Sequence, residues 1–301
     1  MSNMVVRTNV FALNAHRNMK NVGSEQGRAA ARLSSGYRIN TAADDAAGLA
    51  ISETMRAQIR GLDQASRNAQ DAQSLVQTTE GGMQEITNML QRVRELTVQA
   101  ANDTNVSVNR TQIAYEVMQL FTEIQAMQSR VEFNTRTVLS MTGDSAKLHF
   151  QIGANANQSL EHDFSSISVA ISNAFSVVSM VAKALGGDPE AALHGMGHTV
   201  DIDTVSTAAQ ISSLISVVQA ELDAISVERA QLGAIVNRLD YTMRSLDISS
   251  ENLSESESRI RNADMAREMM RFTMANVLQQ ASVSMLSQAN QVPNNLLQLL
   301  R

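Results

Sequence analysis

Two histidines in a glycine-containing stretch are the side chains of this sequence that most resemble metal ligands. His194 and His198 lie four residues apart, and Asp201 and Asp203 follow them. Histidines at this spacing converge on one metal ion when they lie on a helix, but the two intervening glycines disfavour a helix. We therefore expect a flexible loop here and no metal site.

Other arrangements typical of enzymes are missing from the sequence. The chain of 301 residues has no cysteine, which excludes thiolate nucleophiles and zinc–thiolate sites together. It also has no glycine-rich phosphate loop and no serine in a nucleophile-elbow motif. We expect no catalytic residue and no cofactor.

The charge and hydropathy of the chain limit its partners. The formal net charge is -6, whereas nucleic-acid binding requires a basic surface. The stretch from Met1 to Val10 lacks the basic and then apolar pattern of a cleaved signal peptide, and no window of about 20 apolar residues predicts a transmembrane helix. We expect no nucleic-acid partner, no membrane insertion and, if the protein is secreted, a route without a cleaved signal peptide.

Apolar residues recur in steps of three and four along most of the chain, which places them on one side of an α-helix. Three such stripes run through the middle of the sequence, the third with one arginine in it: Thr79, Met83, Ile86, Leu90, Val93, Thr97 and Ala100; Ile113, Val117, Leu120, Ile124, Met127 and Val131; and Ile211, Ile215, Val218, Leu222, Ile225, Arg229, Leu232, Val236, Leu239, Met243 and Leu246. The repeated period predicts a mainly α fold, in which long helices pack side by side as a coiled-coil-like bundle.

The first middle helix has a recognisable start. Thr41-Ala-Ala-Asp44 reads as a capping box, and the adjacent Asp45 also suits the positive end of a helix dipole. We expect a helix from this point to Ala100, weakened locally by the Gly81-Gly82 pair.

A region between the helices alternates apolar and polar residues with the period of a β-strand. Two sets alternate in this way: Leu148, Phe150 and Ile152, then Ile167, Val169 and Ile171. Because turn residues lie between the sets, we expect a small β-hairpin region at about 137–171. The glycine-containing stretch that follows, from Gly186 to Gly197, predicts a loop.

The two ends of the chain carry apolar stripes of the same helical spacing. Their residues are Val5, Ala12, Met19, Val22 and Leu33 at one end and Met270, Met274, Val277, Ala281, Met285, Leu296 and Leu300 at the other. Two end helices can pair with each other, but one such contact leaves much apolar surface open. We expect self-assembly through these stripes, because identical subunits that join head to tail without closure form a helical polymer.

The same ends have little core of their own. Ordering about 80 residues costs on the order of 100 kcal/mol of conformational entropy. At roughly 25 cal/mol per Å², several thousand Å² of apolar surface would have to be buried to offset that cost. We expect the ends to be poorly ordered in the monomer and to fold on assembly.

Long motifs at both ends resemble those of bacterial flagellins. The N-terminal motif is Arg32-Leu-Ser-Ser-Gly-Tyr-Arg-Ile-Asn-Thr-Ala-Ala-Asp-Asp-Ala-Ala-Gly-Leu-Ala-Ile-Ser52, and the C-terminal motifs are Ser258-Arg-Ile-Arg261, Ala263-Asp-Met-Ala266 and Met285-Leu-Ser-Gln-Ala-Asn-Gln291. Motifs of this length, in this order, make the chain resemble a short flagellin that lacks the large outer domains.

The resemblance implies an architecture and a set of partners. Paired terminal helices at 1–42 and 255–301 would form the inner tube of a filament, and a helical bundle with a hairpin at 43–172 and 205–254 would form the outer tube. A short variable loop at 173–204 would stand where other members carry their outer domains. The protein would be an extracellular filament subunit for swimming motility, exported by the flagellar type III apparatus. Its partners would be copies of itself, the hook-associated junction and cap proteins, and an export chaperone.

The resemblance also implies recognition by the flagellin-sensing Toll-like receptor of a host. The residues that match the recognised segment are Gln91, Arg92, Glu95, Leu96 and Glu116. From the residues alone, the same segment reads as one edge of an apolar stripe with solvated charges beside it.

Two other functions stay open at this point. The hook-filament junction protein resembles flagellin at its ends, but it usually has proline where this chain has Ala46, which favours a filament subunit. A cytoplasmic helical signalling rod or enzyme is the third hypothesis.

Three positions depart from the family pattern. Gln26 stands where an apolar residue is usual, Thr135 where a glycine is usual and Asn262 where an aspartate is usual.

Overall fold

A computed structural model of the chain describes residues 8–187 and 208–299, with side chains as far as residue 291. Val5, Leu300 and the stretch from His194 to Asp203 lie outside the described residues, as does the side chain of Leu296. The chain divides into two units. We call the residues up to Ile59 and from Ser250 onward the terminal unit, and Arg60–Ser249 the central unit.

The described residues are mainly helical. In chain order the helices are α1 (Val10–Ser35), α2 (Ala46–Ala100), α3 (Ser107–Arg130), α4 (Ser165–Ala184), α5 (Ala208–Arg261) and α6 (Met265–Leu299). The strands are β1 (Glu132–Phe133), β2 (Arg136–Thr137), β3 (Lys147–Gln151) and β4 (Ser159–Asp163), with a short 3₁₀ turn at Gly143–Ala146 before β3. The predicted mainly α fold with a small hairpin is confirmed.

The core of the central unit is built from the predicted stripes. Every residue of the stripe from Thr79 to Ala100 is buried. The same core takes in these buried residues from the stripes of α3 and α5: Ile113, Val117, Ile124, Ile211, Val218, Leu222, Ile225 and Leu232. Phe121 of α3 stacks on Phe175 of α4, with ring centroids 4.1 Å apart. The side-by-side packing of α2, α3, α4 and α5 therefore follows from the period of the sequence.

The hairpin of the central unit is formed by β3 and β4. The two strands are antiparallel, with Leu148 opposite His162 and Phe150 opposite Leu160. The first strand agrees with the prediction, but the second was predicted too late in the chain. Ile167, Val169 and Ile171 lie in α4, where Ile167 and Ile171 are buried and Val169 is exposed. The reason is that Ile167, Ile171, Ala174 and Val178 recur at helical spacing, which outweighs three alternating positions.

Helix α4 corrects two further expectations. It continues to Ala184, so the first part of the predicted variable loop at 173–204 is helical, and residues 188–204 of that loop lie outside the described residues. The helix is also long and apolar enough to cross a membrane by length and composition, which the sequence analysis did not anticipate. Because half of it is buried among the core residues of the central unit, we assign it as a core helix.

The start of α2 differs from the predicted capping box. Asp45 is the capping residue, since its Oδ1 atom accepts a hydrogen bond of 2.9 Å from the backbone N–H of Gly48. Asp44 instead closes the turn that precedes the helix, because its Oδ2 atom accepts from the backbone N–H groups of Asn40 and Thr41. The N-cap is therefore Asp45, further along the chain than Thr41, where the capping box placed the start of the helix.

The terminal unit is organised around the antiparallel pair of α1 and α6. The Asn9 side-chain amide donates to the Ala289 carbonyl at 2.8 Å, and Gln26 donates to the Asn276 side chain at 2.5 Å. Gln26 thus has a polar partner at the position where the family usually has an apolar residue. The unit extends further than the predicted terminal helices, because it also takes in residues 43–59 and 250–254.

Candidate self-assembly surface

The outer side of α6 carries an exposed apolar stripe. All of the predicted residues whose side chains are described lie on it: Met270, Met274, Val277, Ala281 and Met285. At about 100° per residue, these positions fall within an arc of roughly 80° on the helix surface. Soluble proteins rarely leave an apolar stripe of this length open to water unless it binds something.

A different side of α6 faces α1. Glu268, Ala275 and Ala289 are buried, and they are centred roughly a third of a turn away from the exposed stripe. Glu268 forms ion pairs with Arg271 at 2.7 Å and with Arg32 of α1 at 3.7 Å. Within the part of the chain that the structure describes, the pairing of α1 with α6 therefore leaves the exposed stripe uncovered.

The predicted stripe of α1 has a different environment. Ala12, Met19, Val22 and Leu33 are half-buried and share their side of the helix with Gln26 and Ala29, which lie against α6. These residues hold the helix pair together inside one chain. The large apolar residues of α1 that are exposed are Val10, Phe11 and Leu13. They follow one another too closely to be predicted as a stripe from the sequence.

A polar junction holds the end of α1 and the start of α6. Gly36 ends α1 with a positive φ of 74°, and its carbonyl accepts from the backbone N–H of Ala263 at 2.9 Å. Arg261 lies over the Tyr37 ring at 4.8 Å and pairs with Glu53 at 2.5 Å. These contacts link the segment after α1 to the break between α5 and α6 within the terminal unit.

Asp44 adds a charge to the same unit. Its carboxylate lies 3.5 Å from Arg32, which also pairs with Glu268. Hydrogen bonding from the backbone of Thr41 is the largest effect that lowers the pKa of Asp44, and Asn40 and Arg32 act in the same direction. The carboxylate is therefore stabilised as the anion that Arg32 requires.

The residues matched to receptor recognition lie in the central unit and form an exposed charged cluster. The Arg92 Nε atom is 2.8 Å from Glu116 of α3, and its Nη1 atom is 3.0 Å from Glu95. Hydrogen bonding to Glu116, and then to Glu95, raises the pKa of Arg92. Gln91 is exposed beside them, whereas Leu96 is only 1% exposed and belongs to the core. Leu96 can therefore support this surface but offers almost nothing for a partner to contact.

Comparison with known proteins matches both ends of the chain to one family. The model of the bacterial flagellin N-terminal helical region matches residues 6–144, and that of the C-terminal helical region matches residues 215–300. Together the two matches cover most of the sequence, including all of α1, α2 and α6 and nearly all of α5.

Individual relatives agree over the full length. A flagellin of Halalkalibacterium halodurans is 47% identical over 99% of this chain and 100% of its own length, and a flagellin of Bacillus subtilis is 44% identical with the same coverage. The crystal structure of Bacillus cereus FlgL, at 15% identity, has a TM-score of 0.50 over 67% of this chain and 97% of its own, which relates the folds alone. On the strength of the two family matches and these full-length relatives, the chain belongs to the bacterial flagellins.

Proposed function

We propose that this flagellin is a non-enzymatic subunit that polymerises with copies of itself into the flagellar filament, and that the exposed stripe of α6 lies in the contact between subunits. The observation that carries the proposal is the position of Met270, Met274 and Val277, which are exposed although α6 is already paired with α1. Full-length relatives that are named flagellin support the filament subunit and disfavour the junction protein.

The shape of the stripe favours an open polymer. A stripe on one helix that docks on a different surface of the next copy gives a head-to-tail contact, which repeats without closure. The exposed Val10, Phe11 and Leu13 of α1 are the apolar residues of the terminal unit best suited to receive it. In such a polymer α1 and α6 form the inner tube, and the helical bundle of the central unit forms the outer tube.

A matched pair of valines tests the contact. Val277 on the stripe is 59% exposed and Val227 on α5 is 57% exposed, so the same change to glutamate costs each monomer little. Purified Val277→Glu should fail to elongate filament seeds, because a carboxylate would be buried without a partner. Val227→Glu should elongate as the wild type does. Normal elongation by Val277→Glu, followed by light scattering and electron microscopy, would contradict the proposal.

We also propose how the subunit is exported and handled, and the same exposed surface supports one part of this proposal. A subunit that carries an open apolar stripe needs cover before it assembles, which an export chaperone would supply, and the growing end would meet the junction and cap proteins. The proposed location is the extracellular filament, reached by the flagellar type III route. Gold-labelled antibodies against this chain should decorate filaments on intact cells, and label confined to the cytoplasm would oppose this location.

Recognition by a host Toll-like receptor is a second proposal for the central unit, carried by the exposed cluster of Arg92, Glu95 and Glu116. Arg92→Asp reverses the charge at the centre of the cluster and should abolish receptor signalling by the purified protein. Arg94→Asp makes the same charge change at an exposed neighbour and should keep signalling. Equal signalling by the wild type and Arg92→Asp, or none by the wild type, would argue against recognition.

A further inference from the structure

Methionine is concentrated on the exposed surface of α6. All five methionines of this helix are between 48% and 66% exposed: Met265, Met269, Met270, Met274 and Met285. In the central unit, by contrast, Met83 and Met118 are completely buried and Met141 is nearly so. Among the described residues, the most exposed thioethers are therefore all on α6.

Three of these thioethers belong to the stripe that we assign to subunit contact. These are Met270, Met274 and Met285. Met269 adjoins the stripe, because it lines a shallow apolar depression together with Met270, Met274 and Val277. Leucine or isoleucine would provide the same apolar area without a reactive atom. The choice of thioethers gives the contact surface a chemistry that other apolar side chains lack.

We propose that the exposed methionines of α6 are sites of reversible oxidation by peroxides, and that their sulfoxides prevent the subunit from joining the filament. The effect on assembly rests on the proposed function, whereas the assignment of the oxidation sites rests on exposure alone. In each step the methionine sulfur attacks one peroxide oxygen, an S–O bond forms and the O–O bond breaks. Sulfur is oxidised by two electrons, and hydrogen peroxide is reduced to water.

The consequence follows from the polarity of the product. A sulfoxide is a strong hydrogen-bond acceptor, so burying it in an apolar contact leaves that acceptor without its water. Three sulfoxides within one stripe disrupt the contact along most of its described length. Oxidation therefore acts on subunits before they assemble, and the contact itself shields the same sulfurs once the filament has formed.

Peroxide mapping of the full chain tests the sites. Monomer and sheared filaments are treated with hydrogen peroxide and digested, and the gain of one oxygen atom per methionine is followed by mass spectrometry. In the monomer Met269, Met270, Met274 and Met285 should be oxidised first, and Met83 and Met118 last. In filaments Met270, Met274 and Met285 should be protected. Equal oxidation of exposed and buried methionines in the monomer would overturn the assignment.

Elongation from seeds tests the effect on assembly. Oxidised wild-type monomer should elongate at least about tenfold more slowly, since three apolar contacts become polar. Methionine sulfoxide reductases supplied with a dithiol should restore the rate, because the dithiol is oxidised to a disulfide while the sulfoxide oxygen leaves as water. The triple variant M270L/M274L/M285L keeps the apolar volume and should elongate equally well before and after peroxide.

A control variant separates this effect from general damage. Met180 of α4 is 47% exposed and lies in the central unit, so Met180→Leu should leave the wild-type sensitivity to peroxide unchanged. Equal inhibition of the wild type and the triple variant would overturn the inference while leaving the proposed function intact. Failure of untreated wild type to elongate would instead overturn the proposed function together with the assembly effect, and the mapping would still decide the oxidation sites.

Discussion

Glu221 places a carboxylate in the core of the central unit. Glu221 is 8% exposed, and its Oε1 atom has no hydrogen-bond partner. Burial raises the pKa of Glu221, because the charged form is the one that loses water. A buried acceptor without a partner lowers the free energy of unfolding. The packing of the apolar stripe of α5 does not depend on this carboxylate.

Replacing Glu221 with methionine should stabilise the central unit by about 1–3 kcal/mol at neutral pH, because the desolvated charge is removed. In the wild type the pKa of Glu221 is higher in the folded than in the unfolded state, so the folded state holds more protons. The destabilisation by Glu221 is therefore absent below the ordinary glutamate pKa of about 4.3, and it grows as pH rises through the folded pKa. Urea unfolding across that range should show this slope in the wild type and a flatter profile in Glu221→Met. Asp223→Asn, an exposed neighbour, is the control and should leave the slope unchanged.

The turn between β1 and β2 holds a second residue-scale cost. Asn134 and Thr135 have positive φ values of 49° and 64°, and a β-branched side chain is strained in this conformation. Thr135→Gly should raise the free energy of unfolding by about 1 kcal/mol. The reverse change at a comparable φ, Gly143→Ala, should lower it by a similar amount. A Thr135→Gly protein no more stable than the wild type would show that the turn is not strained.

Sequence reasoning identified these positions only in part. Thr135 was noted as a departure from a usual glycine, but its positive φ depends on the register of β1 and β2. The capping box placed the start of α2 at Thr41 instead of Asp45, because a motif gives the residue types and not the turn that precedes the helix. Glu221 lies beside Leu222 of the third stripe, and a stripe does not reveal how far its neighbours are buried.

At the scale of elements, α2 contains glycines with opposite roles. A Cβ atom at Gly61 would lie 2.8 Å from the Cβ of Ala154 at the hairpin tip, whereas one at Gly81 would meet nothing within 4 Å. Gly61 therefore allows the hairpin to lie close against the helix. Gly81 only lowers the helix propensity.

The two glycines should respond oppositely to the same substitution. Gly81→Ala should stabilise the central unit by about 1 kcal/mol through helix propensity. Gly61→Ala should destabilise it by about 1–3 kcal/mol, because Ala154 has no flexible side chain that could move aside. Thermal unfolding of both variants provides the measurement. Stabilisation by Gly61→Ala would mean that the hairpin does not pack closely on α2.

The helices were predicted more reliably than the second strand, for a physical reason. Long stripes such as Thr79 to Ala100 repeat the helical period many times, whereas Ile167, Val169 and Ile171 offered only three alternating positions. The exposed stripe of α6 was also predicted from its period. The period could not tell that the stripe of α1 faces α6 within the same chain, because an apolar helix face looks the same whichever helix covers it.

At the scale of the whole molecule, the two units differ in how much core each contains. Among the described residues, α1 and α6 bury only small apolar side chains, namely Ala29, Ala275 and Ala289. The central unit buries large ones throughout, including Phe121, Phe164 and Met83. Since burial of large apolar side chains is the main stabilising contribution, the central unit should be much the more resistant to local unfolding.

Hydrogen exchange of the monomer and the filament measures this difference directly. In the monomer, backbone amides of α1 between Val22 and Leu33 should exchange at least about tenfold faster than those of α2 between Val76 and Leu96, because opening α1 exposes little apolar surface. Assembly should slow exchange in α1 and α6 most, since contacts between subunits supply the cover that the monomer lacks. Val277→Glu provides the control: under filament-forming conditions its terminal helices should keep the fast exchange of the monomer. Protection of α1 equal to that of α2 in the isolated monomer would mean that the helix pair is stable alone, and that the exposed stripe is not needed to complete its fold.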